Sequence, residues 1–139
     1  MEQRVRLHRA ARGPEWALVE EPVALSEAIR TKCGQAEIVL LDCLTMWLSN
    51  VLLEAGEAAA EVHQIHLLDT LTLRERSLIL VSNEVGMGIV PEHPLGRVFR
   101  DYAGFLNQRV AGLADRVVFV VAGLPLYLKG SPGKRSRGV

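Results

Sequence analysis

Leu78-Ile79-Leu80-Val81-Ser82-Asn83-Glu84-Val85-Gly86-Met87-Gly88-Ile89-Val90-Pro91-Glu92 changes character abruptly at Ser82. An apolar run leads to that serine and gives way to a polar Asn-Glu pair, two glycines and a proline. In an open α/β sheet such a change marks the carboxyl end of a strand, where ligand crevices form. Glycines let the backbone come close to a ligand, and Pro91 stiffens the exit. The competing reading is a plain strand-to-helix loop.

Working outward, the helix expected after this loop runs Leu95 to Leu113, followed by a buried strand over Arg116 to Ala122. Leu126-Tyr127-Leu128 extends the sheet after a break at Gly123 and Pro125. Upstream, Ile38-Val39-Leu40-Leu41-Asp42 reads as a strand covered on both faces and ending in a carboxylate. Two helices, Leu44 to Leu53 and about Ala58 to Arg76, follow it, separated by Gly56. Nearer the amino end the pattern predicts a helix over residues 1–11, with Val5, His8 and Arg12 near one face and Gly13-Pro14 closing it. A short strand, Trp16 to Glu21, ends at Pro22, and a helix spans Leu25 to Arg30. Strands alternating with helices predict a three-layer α/β domain with a mainly parallel sheet. From Gly130 the glycine, serine and basic residues read as a flexible tail.

The 139 residues, 49% of them apolar, suit one globular domain with a substantial core. Sixteen basic and sixteen acidic residues cancel, which argues against a general nucleic-acid or membrane-surface binder. The basic residues nevertheless crowd the ends, at Arg4, Arg6, Arg9 and Arg12 and again at Lys129, Lys134, Arg135 and Arg137. Only Cys33 and Cys43 occur, a pattern of reduced cytoplasmic thiols rather than a disulfide framework. No stretch reads as a signal peptide or membrane span.

Asp42, after four apolar residues, is placed as a strand-end carboxylate that holds a nucleotide's metal ion; the alternative is an ordinary strand terminus. His8 lies within Arg6-Leu7-His8-Arg9-Ala10-Ala11-Arg12, where guanidinium groups hold a phosphate and keep the imidazole neutral and nucleophilic. A solvated basic helix face gives the same pattern. His63 and His66 stand at i, i+3 without a third ligand and read as surface residues, whereas Met46 and Trp47 read as core.

Taken together, Met1-x-x-Arg4-Val5-x-x-His8-Arg9-x-x-Arg12 with Trp16 and Glu20-Glu21-Pro22, Leu40-Leu41-Asp42-Cys43-Leu44-Thr45-x-Trp47-Leu48-x-Asn50, and Asn83 through Glu92 carry a resemblance. Phe99-Arg100-Asp101, Leu106-Asn107-Gln108-Arg109 and Val120-Val121-Ala122-Gly123-Leu124-Pro125 complete it. The chain resembles the bifunctional adenosylcobinamide kinase/adenosylcobinamide-phosphate guanylyltransferase family of cobalamin biosynthesis. The resemblance implies a P-loop NTPase-like (RecA-like) fold, nucleotide chemistry with Mg2+, and GTP and ATP as substrates. In one reaction a nucleoside triphosphate phosphorylates a hydroxyl of adenosylcobinamide. In the other, a histidine takes GMP from GTP and passes it to adenosylcobinamide phosphate, and such a covalent intermediate divides one difficult displacement into two easier ones. Position by position, His8 matches the guanylylated histidine, Arg9, Ala10, Ala11 and Arg12 line the nucleotide, Glu20 lies near it, and Asp42 sits at the metal-phosphate centre. The resemblance further implies a cytoplasmic homo-oligomer.

The family's phosphate loop, GxxxxGK(S/T), occurs nowhere in these residues, and its backbone N–H groups and lysine cradle the phosphates. The expectation is therefore an N-terminally truncated P-loop NTPase-like nucleotidyltransferase domain over residues 1–129, followed by a basic tail over 130–139. Two other readings stay open: a catalytically inactive nucleotide- or corrinoid-binding relative or assembly subunit, and a nucleic-acid binder using the basic ends.

Overall fold

The computed structural model describes residues 13–132. In chain order these form α1 (Leu25–Thr31), β1 (Ile38–Asp42), α2 (Leu44–Thr72), β2 (Ser77–Val81), a 3-10 turn (Val85–Met87), α3 (Pro94–Leu113), β3 (Val117–Val121) and β4 (Leu124–Lys129). The helix expected over residues 1–11, with His8, Arg9, Ala10, Ala11 and Arg12, lies outside the described residues, as do 133–139 of the expected tail.

α2 organises the packing. Leu44, Trp47, Leu48, Val51 and Leu52 are buried in its first half, the i, i+3, i+4, i+7, i+8 stripe of a helix with one apolar face. Gly56 then breaks the helical path at φ 81° and ψ −179°, a conformation open essentially to glycine alone. The buried stripe resumes at Ala60, Gln64, Leu67 and Leu71. α1 and α3 pack against α2, α3 contributing Ala103, Leu106 and Val110 to one shared core. Burying one such leucine is worth roughly 1.5–3 kcal/mol.

β1 and β2 pair in parallel, Ile38 beside Ser77 through Asp42 beside Val81, and α2 supplies the long connection a parallel pair requires. β3 and β4 form a separate antiparallel hairpin, turned through Ala122 (φ 50°) and Gly123 (φ 77°), the two positive-φ residues of a tight hairpin turn.

Several expectations are corrected. The α/β class holds, but the described residues make two two-stranded sheets, with β3 paired to β4 alone. Pro125 lies inside β4 opposite Val120 rather than breaking the chain, which an edge strand tolerates. β1 is covered on one face only: Leu41 is buried while Ile38 and Leu40 are exposed. In β3, Val118, Val120 and Val121 are likewise exposed. An apolar run makes both faces of a strand eligible for burial, and coverage then depends on a packed layer, which the helices supply on one side. Trp16 to Glu21 forms no strand, because a strand exists through ladder partners and no segment pairs with this one among the described residues. Met46 is 62% exposed while Trp47 is 4% exposed. Adjacent helical positions face different directions, and the buried stripe takes the tryptophan. The two helices expected around Gly56 are continuous apart from that kink and end at Thr72.

Candidate functional site

The parallel register places Asp42 beside Val81, so the carboxyl ends of β1 and β2 open on the same edge. Asp42 is exposed there, and α2 starts two residues later with Cys43 as its N-cap, its Sγ accepting from the Met46 N–H at 3.5 Å. The same edge receives Ser82, Asn83 and Glu84 as the chain leaves β2.

A polar network ties these segments to both long helices. Thr45 Oγ1, in the first turn of α2, accepts from the Asn83 backbone N–H at 2.9 Å and lies 3.5 Å from Ser82 Oγ. Ser82 Oγ donates to Asn107 Oδ1 at 2.7 Å. The amide of Asn107, on α3, donates to the Asn83 carbonyl at 3.2 Å and to Glu84 Oε1 at 2.9 Å. One side chain therefore grips three consecutive residues through both of its polar atoms. The glycine loop beyond is held from the same helix: Arg100 donates to the Gly86 carbonyl at 2.8 Å, and Arg97 donates to the Pro91 and Glu92 carbonyls. Pro94 opens α3 at a position where its missing N–H costs nothing, and His93 Nδ1 accepts from the Leu95 N–H. Gly96 is required by close approach, since a Cβ there would come within 2.7 Å of the Pro91 ring.

Glu20 lies in the non-regular segment before α1 and is exposed. That segment is tied to the first turns of α2, where Trp47 Nε1 donates to the Val23 carbonyl at 2.8 Å and Asn50 donates to the Pro22 carbonyl at 3.3 Å. Trp47 thus packs in the core and anchors the chain carrying Glu20. Glu21 caps α1: its carboxylate accepts from the Ala24 and Val23 N–H groups and pairs with Lys32 at 3.2 Å. The Ala24 hydrogen bond, then the one from Lys32, hold its pKa below the ordinary 4.5.

Of the residues singled out from sequence, Asp42 reaches the sheet end beside Val81, the end from which Asn83 and Glu84 follow, and Glu20 lies in the segment docked on α2. His8, Arg9, Ala10, Ala11 and Arg12 fall outside the described residues. His63 is half-buried and His66 exposed on α2, and no three metal-ligating side chains converge among the described residues. Cys33 and Cys43 are free thiols. Sequence reading missed the mutual partnership of Thr45, Ser82 and Asn107, which lie 37 and 25 residues apart along the chain. The only available signal was an asparagine and a threonine interrupting apolar helical stretches.

The sequence pattern of the cobinamide kinase/cobinamide phosphate guanyltransferase family (CobU) matches residues 1–128. The bifunctional adenosylcobalamin biosynthesis protein CobP of Pseudomonas aeruginosa is 42% identical over 132 residues, 95% of this chain and 76% of that protein. The bifunctional adenosylcobalamin biosynthesis proteins CobU of Escherichia coli and of Salmonella typhimurium are each 35% identical, over 93% of this chain and 78% of theirs. A family match that runs through the Asp42 edge, the glycine loop and α3 alike leaves one conclusion: the chain belongs to the cobinamide kinase/cobinamide phosphate guanyltransferase family, a family of transferases.

Proposed function

We propose that this chain phosphorylates adenosylcobinamide and transfers GMP from GTP to adenosylcobinamide phosphate in cobalamin biosynthesis. The observation that carries the reading is the family match over residues 1–128 at up to 42% identity. In the guanylyl transfer the His8 imidazole attacks the α-phosphorus of GTP, a nitrogen–phosphorus bond forms and pyrophosphate leaves. A phosphate oxygen of adenosylcobinamide phosphate then displaces the histidine, giving adenosylcobinamide-GDP. Arg9, Ala10, Ala11 and Arg12 line the nucleotide, and Arg9 and Arg12 offset the developing phosphate charge. Glu20 lies beside it.

The site suits Mg2+ carried by the nucleotide. Asp42 offers one hard carboxylate at the exposed strand end, and Mg2+ in phosphate-transfer sites takes most of its ligands from water and phosphate rather than from a protein cage. When bound, the ion neutralises charge on the phosphates. GTP and ATP are the nucleotide substrates, adenosylcobinamide and its phosphate the acceptors. The parallel β1–α2–β2 unit, with Asp42 at the carboxyl end of β1, supports a P-loop NTPase-like architecture, with residues 1–129 as its catalytic domain and 130–139 as a basic tail. Zero net charge argues against a nucleic-acid partner, and no helix among the described residues is long and apolar enough to cross a membrane. The two free thiols support a cytoplasmic location, and the exposed strands support a homo-oligomer.

Incubation with GTP radiolabelled at the α-phosphate tests the reading. The chain takes up label in an acid-labile, base-stable bond, and His8→Ala takes up none; equal labelling of both proteins overturns the histidine assignment. A second reading is a nucleotide- or corrinoid-binding relative without turnover. Calorimetric binding of GTP or cobinamide with no pyrophosphate released supports that alternative.

A further inference from the structure

Glu84 stands at the N-cap position of the 3-10 turn Val85–Met87, yet its side chain makes no capping hydrogen bond. Its Oε1 accepts instead from the Asn107 amide at 2.9 Å. Asn107 is itself held, because its Oδ1 receives the Ser82 hydroxyl at 2.7 Å and its amide also reaches the Asn83 carbonyl. Thr45 Oγ1 fixes the Asn83 N–H from the other side. A flexible, exposed glutamate is thereby turned away from local capping and fixed on the strand-end edge that carries Asp42. The cost of ordering such a side chain is met by a network spanning α2, the β2 exit and α3, more apparatus than a surface loop requires.

We propose that Glu84 is the carboxylate that reads the free hydroxyl of the corrinoid acceptor, and that Asn107 is the positioning residue that aims it. This rests on the function proposed above. The acceptor changes chemistry between the two reactions: a neutral hydroxyl in the first, a phosphate dianion in the second. A fixed carboxylate discriminates between them, because it accepts a hydrogen bond from the hydroxyl and repels the phosphate. In the phosphoryl transfer the hydroxyl oxygen bonds to the γ-phosphorus while the bond to the β,γ-bridging oxygen breaks. The nucleoside diphosphate leaves, and the hydroxyl proton passes to Glu84. The guanylyl transfer needs no such base, since its acceptor is already anionic.

Equilibrium dialysis of the full chain with adenosylcobinamide and, separately, adenosylcobinamide phosphate tests this without requiring turnover. Glu84→Gln weakens binding of the hydroxyl form about tenfold or more, the loss expected for a hydrogen bond to a charged group, and leaves the phosphate form unchanged or tighter. Asn107→Asp keeps an acceptor for Ser82 but removes the amide that aims Glu84 and sets a like charge beside it. Hydroxyl-form binding then falls and Glu84→Gln in the same chain adds little further loss, whereas a merely structural asparagine would weaken both corrinoids alike and add its loss to that of Glu84→Gln. Equal losses for both corrinoids in Glu84→Gln, or no loss for either, overturn the proposal. A parent chain that labels His8 from GTP but binds neither corrinoid also overturns it while leaving the histidine chemistry standing. A parent that does neither sinks the proposed function as well.

Discussion

Ala24 has no side chain with which to cap α1, and Glu21, three residues upstream, supplies the missing acceptor for the Ala24 N–H at 2.9 Å. Since that bond and Lys32 stabilise the ionised carboxylate, the folded-state pKa of Glu21 lies below 4.5. The group then contributes stability that is fully present above its unfolded pKa and lost as pH falls through the lower folded value. Glu21→Gln is expected to lower the urea midpoint near neutral pH and to converge on the parent as pH falls through the folded value, below 4.5. Parallel curves for the two proteins across that range would contradict the assignment. Trp47 shows how one residue serves two ends: its ring fills the core and its indole N–H holds the Val23 carbonyl. Glu20 owes its place near the first turns of α2 partly to that bond. Met46, one position along, faces solvent, which residue type alone does not reveal.

Among elements, α2 has the most to lose. Gly56 bends it at φ 81° and ψ −179°, and a Cβ there would meet no atom within 4 Å. The requirement for glycine is therefore conformational, and Gly56→Ala is expected to cost about 1–3 kcal/mol in urea denaturation. A loss of only a few tenths would mean that the helix straightens at no cost. Both halves pack into the core, through Leu48 and Val51 before the bend and Ala60, Leu67 and Leu71 after it, but only the first also carries Thr45, Trp47 and Asn50 to the candidate site. Just past it, the Tyr102 hydroxyl of α3 donates to the Glu57 carbonyl at 3.4 Å, so α3 supports the kink as well as clamping the loop after β2.

For the molecule entire, helices cover one face of β1 and β2, whereas β4 is exposed along its whole length. Ile38, Leu40, Ile79 and Val81 on the first sheet and Val118, Val120, Leu126 and Leu128 on the second are exposed. Contiguous apolar surface and unpaired strand edges favour association. Sedimentation velocity is expected to show concentration-dependent self-association of this chain, reduced in the Val118→Lys/Val120→Lys double variant. A parent that sediments as a monomer at every concentration would count against it.

The strand–helix alternation was readable from sequence because hydrophobic periodicity is local. β1 coincides with its expected span, and α1, β2, α3 and β3 differ from theirs by a residue or so at the ends. Asp42 and the Asn83-Glu84 pair were readable as strand-end polar groups for the same reason, since an apolar run that stops on a carboxylate or an amide shows it in a few residues. Pairing was not readable. Whether Trp16 to Glu21 finds a neighbour, whether β3 joins β1 or turns back on β4, and which face of an apolar strand is covered all depend on residues far away in the chain. So does the clamp at the β2 exit. Asn107 meets Ser82 and Glu84 across 25 and 23 residues, and such a meeting is set by how α3 packs on α2, a contact that no local pattern encodes.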